Sequence, residues 1–201
     1  MRSSPSCRTV TERRVAAGIS STGKRAVFEA RGEIFTVPAE HGSVRNLTNT
    51  SGVAERYPAW SPNGRYLVYW SDRSGEYELM LRDLKEPEKE QKLTSYGKKY
   101  RYQPQWSPDS KKIAFVDQAM NINYLNVTTG NVVQIDKGKY MFEGNLRGFS
   151  VSWSPDSKWI AYSRGTENRL MSAIFVFNTE TSRLSQLTSG YYSDHSPVFS
   201  A

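Results

Sequence analysis

Pro58-Ala59-Trp60-Ser61-Pro62-Asn63-Gly64, Pro104-Gln105-Trp106-Ser107-Pro108-Asp109-Ser110 and Val151-Ser152-Trp153-Ser154-Pro155-Asp156-Ser157 are three copies of one motif. Trp60, Trp106, Trp153 and Phe199, the last in Pro197-Val198-Phe199-Ser200, follow one another at intervals of 46, 47 and 46 residues. A degenerate copy, Gly18-Ile19-Ser20-Ser21-Thr22-Gly23, stands 41 residues before Trp60. In each copy an extended stretch ends at the aromatic position and a Ser-Pro-Asp/Asn-Gly/Ser turn follows. The order suits a tight turn, because Ser heads it, Pro presets φ at the second position and Gly fits its end.

Working outward, each turn leads into an alternating apolar run: Arg25–Ala30, Tyr66–Trp70, Ile113–Val116 and Trp159–Ser163. A third run follows over Glu33–Val37, Glu78–Leu84, Ile122–Val127 and Ala173–Asn178, and a fourth ends in Asn46-Leu47-Thr48, Lys92-Leu93-Thr94 or Gln186-Leu187-Thr188, with Val133-Gln134-Ile135 as a weaker version. Period-two alternation broken by turn residues predicts four antiparallel strands per repeat. Four-stranded units at this period are propeller blades, whose two apolar faces are buried only by stacking on neighbours. The expected fold is therefore all-β: four four-stranded blades plus the first strand of a fifth. That phase reads as an open fragment of a larger ring. An irregular basic stretch is expected at 1–11 and the partial propeller at 12–201, with blades near 12–50, 51–96, 97–144 and 145–194 and the start of another at 195–201. Trp60, Pro62, Trp106, Pro108, Trp153, Pro155 and Phe199 are its structural repeat residues, with the aromatic side chains plugging the gaps between blades.

Composition agrees with a globular chain: 37% hydrophobic, 23% charged and 12% aromatic residues in 201. Arg2, Arg8, Arg13 and Arg14 against Glu12 account for three of the seven net positive charges, so the repeats themselves carry ordinary mixed charge and no nucleic-acid partner is expected. The single cysteine, Cys7, permits no intrachain disulfide and leaves the compartment open between cytoplasm and, for an exported parent, periplasm. No apolar run reaches the roughly 20 residues of a membrane-spanning helix.

A search for chemistry returns little. The two histidines are His41 and His195. Asp194-His195-Ser196 holds three triad residue types, but neighbours along an extended chain point to opposite faces and cannot form a mutual relay. Gly148-Phe149-Ser150-Val151-Ser152 lacks the last glycine of a nucleophile elbow and the helix that follows one. Asp72, Glu76 and Glu78 lack the spacing of a calcium loop. No catalytic residue, metal site or cofactor is expected from these residues. Recognition is expected instead on the loops joining an outer strand to the next inner strand, because loops on a rigid scaffold are where binding concentrates. The basic and aromatic side chains of two such loops, Lys98, Lys99, Tyr100 and Arg101 in one and Tyr140, Phe142 and Arg147 in the other, are the candidate ligand contacts.

The Trp-Ser-Pro-Asp repeat resembles the WD40-like repeat of TolB-type propellers. Arg14–Ser20, Arg25–Pro38 and Arg45–Thr48 resemble the opening of the second, seven-bladed propeller of the tricorn protease family, and Ser74–Leu79 and Tyr192–Ser200 its later blades. That resemblance implies a parent in which six- and seven-bladed propellers precede a PDZ domain and a serine-peptidase core. The propellers would guide or filter peptides or unfolded polypeptide. The expected partners are those peptides, the remaining blades, the PDZ and peptidase domains, and a homo-oligomer of the parent. The family's catalytic residues lie outside this sequence, so none is carried over. A TolB-like protein-binding scaffold without peptidase, and the propeller cap of a prolyl-oligopeptidase-like hydrolase, are the competing readings.

Overall fold

The computed structural model describes residues 17–139, 146, 149–167 and 171–200. Four antiparallel sheets follow one another along the chain. The first holds β1 (Ala17–Ile19), β2 (Arg25–Ala30), β3 (Glu33–Pro38) and β4 (Arg45–Asn46). The second holds β5 (Glu55–Trp60), β6 (Tyr66–Ser71), β7 (Glu78–Asp83) and β8 (Glu90–Lys92). The third holds β9 (Gln105–Trp106), β10 (Lys112–Val116), β11 (Asn121–Asn126) and β12 (Val132–Lys137). The fourth holds β13 (Ser152–Trp153), β14 (Trp159–Gly165), β15 (Ser172–Asn178) and β16 (Arg183–Gln186). In each the spatial order is the chain order, the sheet topology of a propeller blade.

The motif turn is built the same way four times. Ser61 Oγ accepts the Tyr66 N–H at 2.8 Å and donates to Asn63 Oδ1 at 2.7 Å. Ser107 does the same with Lys112 and Asp109 at 2.9 and 2.6 Å, and Ser154 with Trp159 and Asp156 at 2.9 and 2.5 Å. In the degenerate copy Ser20 accepts from the Arg25 N–H at 3.1 Å, with Thr22 in the acidic place. The last turn residue is left-handed in every case, with φ of 70° at Gly23 and Gly64 and 59° at Ser110 and Ser157. Glycine enters that region freely, whereas serine there is strained and has to be held by something else. The holding contact crosses to the preceding blade: Ser110 Oγ accepts the Asn63 N–H at 3.1 Å and Ser157 Oγ the Asp109 N–H at 3.0 Å.

The Leu-Thr signature also has a mechanical meaning. Leu47, Leu93 and Leu187 each donate a backbone N–H to the third strand, at Ile34, Leu79 and Ile174. The next residue then substitutes a side chain for the ladder: Thr48, Thr94 and Thr188 Oγ1 accept the N–H groups of Ile34, Leu79 and Ile174 at 3.1, 2.9 and 3.0 Å. In the third blade, where no threonine stands in this place, β12 runs on to Lys137 and stays paired through a bulge at Ile122/Asn123.

The core lies between sheets. Leu67 and Tyr69 of β6 pack with Val27 and Ile34 of the first blade, while the alternate residues Val68 and Trp70 pack with Ile113 and Phe115 of the third. Both faces of a middle blade are thus buried, which is why its second strand reads as an almost unbroken apolar run. Antiparallel order places the motif turns at one rim and the outer-to-next-inner connections at the other. Past Thr188 no further strand is formed among the described residues. Phe199 nevertheless donates its N–H to Ser152 Oγ at 3.3 Å, alongside β13.

Candidate functional site

The loop between β8 and β9 is held at three points. Glu78, at the head of β7 and 4% exposed, accepts the Thr94 hydroxyl at 2.5 Å and the N–H groups of Tyr96 and Gly97 at 2.7 and 3.1 Å. Gln118, between β10 and β11, accepts the Tyr100 N–H at 3.1 Å and donates its own N–H to the Tyr100 carbonyl at 2.9 Å. Arg101 is the third anchor. Its antiparallel bridge to Asp117 turns the side chain inward, where it is 3% exposed. There the guanidinium donates to the carbonyls of Tyr77 and Lys99 at 2.5 and 3.0 Å and lies over the Tyr96 and Trp70 rings at 4.6 and 5.6 Å. Burial pulls it below the usual arginine value, opposed by Glu78, Tyr96 and Asp117. Arg101 therefore shapes the loop from within.

Lys98 and Lys99 remain on the outside. Lys99 Nζ is 3.7 Å from Asp117 Oδ2, and Lys98 has no ion-pair partner among the described residues. Tyr100 is half-buried in a group the sequence reading did not assemble. Its ring meets those of Tyr57, Tyr77 and Tyr102 edge-on at 6.4, 5.6 and 5.1 Å. Its hydroxyl accepts from Arg56 at 3.1 Å and donates to Tyr57 at 3.3 Å, and the Arg56 guanidinium lies 5.9 Å from both the Tyr77 and Tyr100 ring centres. The rim at this point is an aromatic patch with cations beside it.

Tyr140, Phe142 and Arg147 of the second loop lie outside the described residues. Leu146 and Phe149, on either side of Arg147, line a cavity of about 110 Å³ between the third and fourth blades, together with Val116, Met120 and Ile122. Lys139 and Arg164 stand at its polar side, Lys139 paired with Glu167 and Arg164 Nε with Asp136 Oδ2 at 2.5 Å.

Compared with known proteins, residues 15–201 match the family model described as the tricorn protease second beta propeller domain. The chain belongs to that family. Among solved structures, the tricorn protease aligns over 95% of this chain at a TM-score of 0.72 and 17% identity. TolB from Acinetobacter baumannii aligns over 89% at 0.62 and 21%, and the putative TolB from Agrobacterium tumefaciens over 90% at 0.65 and 18%. These likenesses establish the fold. The chain spans 19%, 44% and 64% of the length of those three structures respectively. No curated protein matches the chain by sequence.

In this tricorn-type propeller the Asp194-His195-Ser196 run engages its neighbours. Ser172 Oγ lies 3.1 Å from His195 Nδ1 and donates to the Asp194 carbonyl oxygen at 2.8 Å, while Ser193 Oγ is 3.1 Å from Nε2. Among the described residues no carboxylate orients the imidazole. Asp194 contributes its backbone, as the alternation of side chains along an extended segment implies. Among the same residues no three His, Cys, Asp or Glu side chains converge as metal ligands would.

Proposed function

We propose that the chain is the non-catalytic propeller portion of a tricorn-like serine peptidase, and that its loop rim guides or filters peptide substrates. The observation that supports the reading is the β8–β9 loop in a chain matched over 15–201 by the tricorn propeller family. Glu78, Gln118 and Arg101 hold that loop so that Lys98 and Lys99 face outward beside Tyr100 and Tyr57. A preorganised loop binds without a large ordering penalty, and cations next to aromatic faces suit acidic and aromatic peptide side chains. Peptide hydrolysis belongs, in this reading, to other domains of the parent.

The test is peptide binding by fluorescence anisotropy, with an unstructured acidic peptide as probe. Lys98→Gln/Lys99→Gln should weaken it about tenfold at low salt, and the wild-type chain should leave the peptide uncleaved. Binding unaffected by the double substitution would sink the proposal. The likeness to TolB structures favours one second reading, a scaffold that docks folded proteins on the same rim. It predicts capture of a folded partner and no affinity for unstructured peptide.

A further inference from the structure

The rim of the motif turns lies opposite the β8–β9 loop and has chemistry of its own. A cavity of about 470 Å³ opens there between the first and second blades. Four cations line it, Lys24, Arg25, Arg45 and Arg82, and no carboxylate does among the described residues. Lys24 and Arg45 are exposed and have no ion-pair partner among those residues. Arg25 is turned onto Thr36 and the Ser43 carbonyl, and Arg82 reaches Glu90 only at 3.9 Å. Two buried N–H donors on lining residues also lack an acceptor, Arg82 Nε and Trp60 Nε1. Buried donors are normally paired, and these two stand on the cavity wall without a protein acceptor among the described residues.

The fold does not require this chemistry, as the next junction demonstrates. A comparable cavity of about 430 Å³ lies between the second and third blades, lined by one lysine, Lys111, and one acid, Asp109. In strand register Arg25 corresponds to Tyr66, Thr36 to Leu81, Arg45 to Gln91 and Arg82 to Leu125. The Trp106 indole there donates to the Ala59 carbonyl at 3.1 Å, the contact that Trp60 lacks. The same backbone niche is balanced in charge at one junction and carries four cations without a carboxylate, among the described residues, at the other.

We propose that the cavity between the first two blades binds a small phosphate-bearing anion. A monocarboxylate would answer one or two of the four cations, whereas a phosphoryl or pyrophosphoryl group presents several charged oxygens to guanidinium forks and hydroxyls at once. Leu47, Leu84 and the Trp60 ring, on the same wall, leave room for an apolar or planar group attached to the phosphate. This site is on the opposite rim from the peptide contacts and stands whether or not the peptide-guiding reading does.

The experiment is calorimetric titration of the chain with inorganic pyrophosphate at fixed ionic strength. One-to-one binding is expected, weakened about tenfold or more by Lys24→Gln/Arg45→Gln and unchanged by Lys98→Gln/Lys99→Gln on the other rim. Both pairs remove two exposed charges, so they control for the net positive charge of the chain. Arg82→Leu, which installs the residue type found at the equivalent Leu125, provides a second variant and should weaken binding comparably. No binding, or equal loss in the two double variants, would overturn the proposal. Tighter binding of acetyl-Glu-Glu than of pyrophosphate would overturn the phosphate assignment.

Discussion

The junction between the first and second blades and the one between the second and third are built on one backbone plan with different side-chain chemistry. At the second junction the contacts close on themselves. The Trp106 indole meets the Ala59 carbonyl, Ser110 Oγ meets the Asn63 N–H, and Leu93 is sealed at 8% exposure. At the first, Trp60 Nε1 has no acceptor among the described residues, glycine replaces the clamping serine at position 64, and arginines occupy the places of Tyr66, Gln91 and Leu125. A repeat specifies where strands and turns go. What a given junction binds is decided by the few positions that depart from it.

The largest expected effect concerns a position five residues before the tryptophan, occupied by Glu55 in one blade and Arg101 in the next. Both are buried, at 0% and 3% exposure, but only Arg101 is fully engaged. Arg101→Met leaves the Tyr77 and Lys99 carbonyls without their donors in the interior and should cost about 3 kcal/mol in urea denaturation. Glu55 accepts from Thr50 at 2.7 Å and sits 3.6 Å from Arg73, yet burial outweighs these contacts and raises its carboxyl above the ordinary value. The folded state then holds the proton to higher pH than the unfolded chain does. This group's contribution falls as pH rises from the ordinary glutamate value through the raised one. Glu55→Gln should therefore shift stability at pH 7 by no more than about 1 kcal/mol and flatten that fall. An Arg101→Met variant as stable as wild type would break the contrast.

Arg101 also shows where the sequence stops being informative. The motif, the strand runs and their order were legible because turn chemistry and alternation are local properties. The rim loop was legible too, as a connection rich in cations and aromatics. Which of its four side chains face outward was not, because that depends on the Arg101–Asp117 bridge, a pairing set by tertiary register. The same holds for Tyr57 and Tyr77, which come from a strand and a hairpin distant in sequence and meet Tyr100 only in the folded rim. The Leu-Thr signature was visible as a strand ending. Its reason, a hydroxyl completing the ladder, needed coordinates.

The motif turns supply a contrast of intermediate size. At Gly64, with φ of 70°, an added Cβ would sit 2.6 Å from Ser21 Oγ. Gly64→Ala should lower stability by about 2 kcal/mol through left-handed strain and that clash. Ser110→Ala keeps the strain and removes only the acceptor of the Asn63 N–H, for a loss of about 1 kcal/mol. Ser110→Gly relieves the strain while losing the same bond and should be close to neutral. Thermal melts of the three variants order them, and a Ser110→Gly as damaging as Ser110→Ala would show that the left-handed turn carries no strain.

The smallest effect is the most discriminating between junctions. Trp106→Phe and Trp60→Phe remove the same indole fragment from the same place in neighbouring blades, so the packing loss largely cancels between them. What differs is a hydrogen bond: Trp106 Nε1 donates to the Ala59 carbonyl and Trp60 Nε1 to no acceptor among the described residues. Trp106→Phe should be the more destabilising by about 1 kcal/mol, the net worth of a neutral hydrogen bond. Repeating the melts with pyrophosphate should widen the gap between wild type and Trp60→Phe while leaving the Trp106→Phe decrement unchanged, since a ligand stabilises by its affinity for the folded state alone. Equal decrements in both conditions would mean that the two junctions, for all their difference in side chains, are energetically the same.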